Sequence, residues 1–184
     1  IAATLVLAVT SASGMRFLTF ENDLRVFFSK KNPQLQALEE LENTYTKVDN
    51  VYITIAPQDK NVFTRETLAA IEELTEACWH IPYSSRVDSI TNFQYTYSED
   101  DDLIIEDLVL DAPGMGDAEI SRIREIALSE PRLLNSSISP NGQVTGININ
   151  ILPPGKSVAE VQEVADYARK MADDFRRKYP GIDL

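Results

Sequence analysis

At 184 residues the chain is long enough to bury a real core, and it holds one large domain or two small ones. Its net charge of −12 excludes the basic surface that nucleic acid demands and gives anionic lipid no overall attraction. A single cysteine, Cys78, rules out an internal disulfide and leaves the compartment open between cytosol and periplasm.

In chain order, Ile1 to Gly14 carries no charge and is rich in Ile, Leu, Val and Ala. It is shorter than the roughly 20 apolar residues that span a bilayer. Residues 1–18 are taken as the tail of a transmembrane helix that begins before Ile1. A signal-peptide remnant, suggested by the small residues from Ala8 to Ser13, and a plain buried helix are the alternatives. Met15 to Phe28 is mixed and aromatic, and reads as an extended connector. Asn32 before Pro33 starts a helix whose apolar side is Leu35, Leu38, Leu41 and Tyr45.

Val51, Ile53 and Ile55 alternate with Tyr52 and Thr54, the period of a half-buried strand. Pro57 to Lys60 is a turn. Thr64 caps a helix with the stripe Leu68, Ile71, Leu74 and Cys78, ended by Ile81-Pro82. Arg86 to Tyr97 reads as one further strand. Residues 98–140 are an insertion, with a strand in Leu103 to Leu110, a loop from Asp111 to Gly116, and a helix capped by Asp117. Ile120, Ile123 and Ala127 line one side of that helix, and Pro131 marks its end.

Leu133 to Ile138 is expected to pair as a hairpin across Ser139-Pro140-Asn141-Gly142 with the strand from Gln143 to Leu152. There Ile147, Ile149 and Ile151 share one face, and Gly146, Asn148 and Asn150 share the other. Ser157 and Glu160 read as a capping box. The helix they open carries the stripe Val158, Val161, Ala165, Ala168, Ala172, Phe175 and Tyr179. Tyr179-Pro180-Gly181 stops it, and Ile182 to Leu184 starts a strand taken to be truncated at the C-terminus.

Two strand–helix–strand units of this kind predict an α+β fold, a ferredoxin-like split βαβ two-layer sandwich with an inserted segment, spanning residues 19–184. The sheet is expected to be mixed, with the helices near 65–79 and 158–179 on one face. Ile147, Ile149 and Ile151 should be buried against Val161, Ala165 and Ala168. The open face should then carry Tyr52, Thr54, Asn148 and Asn150. A polar but uncharged face of that kind suits a wet interface between domains or a substrate route.

Chemistry is sparse. Cys78 and His80, the only thiol and the only imidazole, lie two apart and do not share a helix face. Glu99 to Asp102 lacks the spacing and glycine of a calcium loop, and Gly114-Met115-Gly116 lacks the lysine of a phosphate loop. No catalytic residue, cofactor or metal is expected, and the chain reads as non-enzymatic.

Certain segments recur in a telling order. Asp23 with Phe27-Phe28 leads to Asn32-Pro33 and the helix from Leu35 to Tyr45. Val51-Tyr52-Ile53-Thr54-Ile55 follows, then Phe63 before the helix of Leu68, Ile71 and Leu74, then Ile81-Pro82. Val87-Asp88-Ser89-Ile90 comes next, and Asn141-Gly142 precedes the isoleucine strand. From Phe20 to Leu184 this order resembles the first extracytoplasmic porter domain of the resistance-nodulation-division exporters. The branch is the one related to the mycobacterial large membrane proteins and hopanoid exporters.

The resemblance implies a proton-driven inner-membrane exporter of hydrophobic or lipid-like molecules, with this domain on the periplasmic side. It implies as partners a second extracytoplasmic domain and the transmembrane region of the same protein. Separately, the unpaired edge of the truncated strand at Ile182 to Leu184 is expected to recruit a second copy, a homo-oligomer, and the net charge argues against nucleic acid. The family's proton-relay acids lie in its transmembrane helices, so no transport residue is carried over to this chain. An extracytoplasmic ligand-sensing domain of a membrane receptor is the alternative.

Overall fold

A computed structural model describes residues 12–13, 24–45, 49–99, 102–154 and 159–184. Most of the expected transmembrane tail, Ser157, and Asp100 and Asp101 of the acidic run lie outside the described residues. Among those described, no helix is long and apolar enough to cross a membrane. The chain divides into two compact units, Ile1–Thr46 and Lys47–Leu184.

In the first unit, the described end of the expected connector is a 3-10 turn, Leu24–Phe27. Helix α1 spans Pro33–Tyr45. The Asn32 side-chain oxygen accepts from the Gln34 and Leu35 amides at 2.9 and 3.3 Å, the N-cap that the sequence predicts. Of the expected apolar row Leu35 is buried, whereas Leu38 and Leu41 are exposed.

The second unit carries a four-stranded sheet ordered β2-β5-β1-β6. Strand β1 is Asp49–Pro57, β2 is Ser84–Asp88, β5 is Thr145–Ile151 and β6 is Ile182–Asp183. Helix α2, Arg65–Cys78, joins β1 to β2, and helix α4, Ala159–Lys178, joins β5 to β6. Both connections run strand–helix–strand, and β5 slots between β1 and β2. This is the split βαβ arrangement, and the two-layer α+β fold is as expected. The sheet is not mixed: every neighbouring pair is antiparallel, because the strand inserted between β1 and β2 runs against both.

One core lies between the sheet and the helices. Ile53, Ile55, Val87, Ile147, Ile149 and Ile151 supply the sheet side. Leu68, Ile71, Leu74 and Cys78 supply α2, whose first turn is capped by the Thr64 hydroxyl accepting from the Thr67 amide at 3.2 Å. The register sets Ile53 against Ile147 and Val51 against Ile149, so the isoleucines face inward as their alternation predicts.

Helix α4 follows the expected stripe over most of its length and departs from it near its start. Val164 and Phe175 are its buried apolar residues, Ala165 and Ala168 are half-buried, and Val161 is 63% exposed. The alanines and Phe175 fit the expected stripe, and the difference lies in the first turns, where Val164 rather than Val161 turns inward.

Three further expectations are corrected. Arg86 to Tyr97 is not one strand. Asn92 accepts from the Ser89 amide at 2.8 Å and donates to the Val87 carbonyl at 2.8 Å, closing a turn that ends β2. The chain then forms a separate hairpin, β3 at Gln94–Glu99 with β4 at Asp102–Asp107, so the insertion leaves the sheet at 88 rather than 98. Helix α3, Asp117–Ser129, takes Gly116 as its N-cap, with Asp117 as the first helical residue. Ile120, Ile123 and Ala127 line its buried side as expected. Leu133 to Ile138 is not a strand either. The Ser136, Ser137 and Ile138 amides all turn back to the Leu133 carbonyl, leaving a single antiparallel bridge from Ile138 to Thr145.

The turn after it holds. The Gly142 amide donates to the Ser139 carbonyl at 2.8 Å, with Gly142 at φ +69°, where a side chain would be strained and would meet the Phe63 ring. Glu72 of α2 fastens the insertion to the helical layer by accepting from the Asp111 and Ala112 amides at 3.2 and 3.1 Å.

Candidate substrate or interdomain face

Alternation along β1 and β5 puts Asn50, Tyr52 and Thr54 beside Asn150, Asn148 and Gly146 on the sheet face away from the helices. All four expected face residues, Tyr52, Thr54, Asn148 and Asn150, therefore share that face. They are not merely adjacent. Asn50 donates its amide to Asn148 at 2.8 Å, and Asn148 donates to Asn150 at 3.0 Å, a continuous row across two strands. Tyr52 lies over Gly146, whose missing Cβ leaves the room for its ring. The phenol donates to the Ser136 carbonyl at 2.8 Å, and partial burial pushes its pKa above the usual value.

The face is not free of charge. The pairing of β2 sets Arg86 beside Asn150 and Asp88 beside Asn148. The Arg86 Nε donates to both Asp88 oxygens, at 2.8 and 2.9 Å. The same alternation rule places both residues once β2 is known to end at Asp88.

Nor is the face flat. The tight turns at 131–137 lie along it and enclose a groove of about 440 Å³, lined by Tyr52, Asn148, Arg86, Asp88, Phe93 and Arg132 among others. The Arg132 guanidinium stacks on the Phe93 ring, 4.7 Å from its centroid, and its Nε donates to Glu130 at 3.0 Å. Nothing in the sequence pattern flags Arg132, and Phe93 alternates with Tyr95 and Tyr97 as part of the expected strand from Arg86 to Tyr97 rather than as a residue of this face. Arg132 reaches the groove through a turn whose path no periodicity records.

A second concavity, about 380 Å³, runs between α2 and α4 over Leu74, Ala77, Met171 and Phe175. At one end Lys178 and the Tyr179 hydroxyl both bond Glu73 at 2.6 Å. The bond from Lys178 holds the Glu73 carboxyl below its usual range and raises the lysine in turn.

The Cys78–His80 pair has no catalytic geometry. Cys78 is fully buried, and desolvation pushes its thiol up to about 12. His80 is exposed and faces the Glu76 carbonyl at 3.2 Å. The Gly114–Gly116 loop forms a 3-10 turn at Ala112–Gly114 and then the cap of α3. Among the described residues, no three His, Cys, Asp or Glu side chains gather as a metal site would require. No protein-family model and no curated protein matches the chain.

Proposed function

We propose that the chain contains the extracytoplasmic porter-like domain of a proton-driven inner-membrane exporter of hydrophobic or lipid-like molecules. The open sheet face serves it as an interdomain surface or substrate route and does no chemistry. One observation carries the reading. The split βαβ sheet hides one face under helices and leaves the other polar, internally hydrogen-bonded and recessed. Amides already satisfied by one another can meet a moving partner or an amphiphile without a large desolvation cost. The order of sequence segments that resembles the exporter family supplies the direction of transport and the energy source.

The test uses membrane vesicles carrying the whole exporter and a lipophilic dye. Efflux should depend on a proton gradient and collapse with a protonophore. Asn148→Trp with Asn150→Trp should block efflux while the protein remains folded and present in normal amount. Normal efflux in that double variant would overturn the role given to the face. Saturable binding of lipophiles with no proton-dependent movement would favour the ligand-sensing alternative.

A further inference from the structure

We propose that the groove on the open face is an oxyanion site in which Arg86 and Arg132 hold the phosphate or carboxylate headgroup of an amphiphile. The inference deepens the exporter reading by naming a substrate class and rests on it for the ligand's source.

Both arginines are committed to a carboxylate, but only through Nε. Asp88 takes the Nε of Arg86, and Glu130 takes the Nε of Arg132 at 3.0 Å. The terminal Nη groups of both guanidiniums carry no hydrogen bond among the described residues. A guanidinium fixed along one edge is pre-oriented to present the other edge as a fork, the geometry that suits a planar or tetrahedral oxyanion. Stacking on Phe93 fixes Arg132 further, so little rotamer freedom remains to be lost on binding.

The chain carries −12 overall, whereas at this groove two arginines stand against two carboxylates, Asp88 in the lining and Glu130 on the Arg132 Nε. The molecule at large repels anions, while the groove is close to neutral and presents the Nη edges of both guanidiniums. Ser137 also lines the cavity. At about 440 Å³ the space falls in the range of small-molecule sites and suits a headgroup with the start of a tail. The tail would leave along the exposed side of the groove.

Three probes separate the sources: inorganic phosphate, dihexanoyl phosphatidic acid below its micelle concentration, and octyl glucoside. Each is titrated calorimetrically into the 184-residue chain at low salt. Dihexanoyl phosphatidic acid should bind saturably. Arg86→Gln and Arg132→Gln should each weaken it about ten-fold or more, the effect of losing a charge-assisted hydrogen-bonded pair. Arg86→Lys, which keeps the charge and loses the fork, should fall between. Both arginines are mostly exposed, at 67% and 69%, so thermal melts should show the glutamine variants folded.

Phosphate binding as tight as the phosphatidate would support the same site with a free anion as its ligand. No saturable binding of either anion would overturn the proposal, as would octyl glucoside binding equally well, or both glutamine variants binding normally. Vesicles that still pump while the chain binds no oxyanion would sink this inference and leave the exporter reading standing.

Discussion

Gly146 and Tyr52 form a contact whose disruption has a calculable sign. A Cβ on Gly146 would stand 2.6 Å from the Tyr52 Cε1 and closer still to Cζ and the hydroxyl. The ring of Gly146→Ala must therefore swing out toward solvent, which it can do because Tyr52 is half exposed. It then loses its bond to the Ser136 carbonyl, worth about 1 kcal/mol net. Each 40 Å² of apolar contact given up adds about 1 kcal/mol. Replacing a strand glycine by alanine returns roughly 0.5–1 kcal/mol. The balance is a loss of about 1 kcal/mol in the native background. In a Tyr52→Ala background there is no ring to displace, so the same substitution should stabilise by about 0.5 kcal/mol. Urea unfolding of the four proteins closes the cycle, with a coupling of roughly 1–2 kcal/mol and a change of sign between backgrounds. An equal effect of Gly146→Ala in both backgrounds would refute the close packing of the ring on the strand.

Ile149→Ala, at a fully buried position between Val51 and Val87, should cost about 2–5 kcal/mol with an unchanged urea slope, and a loss below about 1 kcal/mol would misplace the core. Cys78, buried and with its thiol pushed up to about 12, should resist an aromatic disulfide reagent at pH 8 in the folded protein and react fully in urea; prompt reaction of the folded chain would contradict the packing of α2. Glu73 has a folded-state pKa below its unfolded one, so its stabilising effect is present above the ordinary carboxylate range and fades as pH falls through it. Glu73→Gln should remove a small part of the acid-side fall in melting temperature, small because the pair is solvent-screened, and an identical pH profile in the variant would exclude that contribution.

What the sequence disclosed follows from what alternation and caps can encode. Ile147, Ile149 and Ile151 name their own face, and Thr64 and Asn32 name their own helix starts, because each signal is local. Neighbours in the sheet are not local. The alternation of β5 says nothing about which strands flank it, so the all-antiparallel order waited for the structure. Phase was ambiguous in α4, where several alanines diluted the signal and Val161 was assigned to the wrong side. Polar turns were the hardest to read. Ser89 to Asn92 and Leu133 to Ser137 satisfy their backbone groups internally, so neither hydrophobic period nor propensity marks where they run. For the candidate face, Tyr52, Thr54, Asn148 and Asn150 were legible because they alternate with isoleucine and valine. Arg86 alternates with Val87 and was legible by the same rule, whereas Arg132 reaches the groove on a turn path that no period records.

The chain leaves the sheet at Asp88 and returns at Thr145, and these ends lie side by side, since Asp88 pairs with Asn148. To the sheet, everything between them is the loop of a β2–β5 hairpin. Closing a loop costs only about 0.6 kcal/mol more for each doubling of its length. The length of the insertion therefore adds little to the cost of closing the scaffold, and packing holds it there, since Ile90, Val109, Ile120 and Ile123 share one core with the sheet. Only the exposed positions of the roof over the groove, Arg132 and Ser136 among them, can change freely, while the buried Leu133 and Ile138 anchor it to that core.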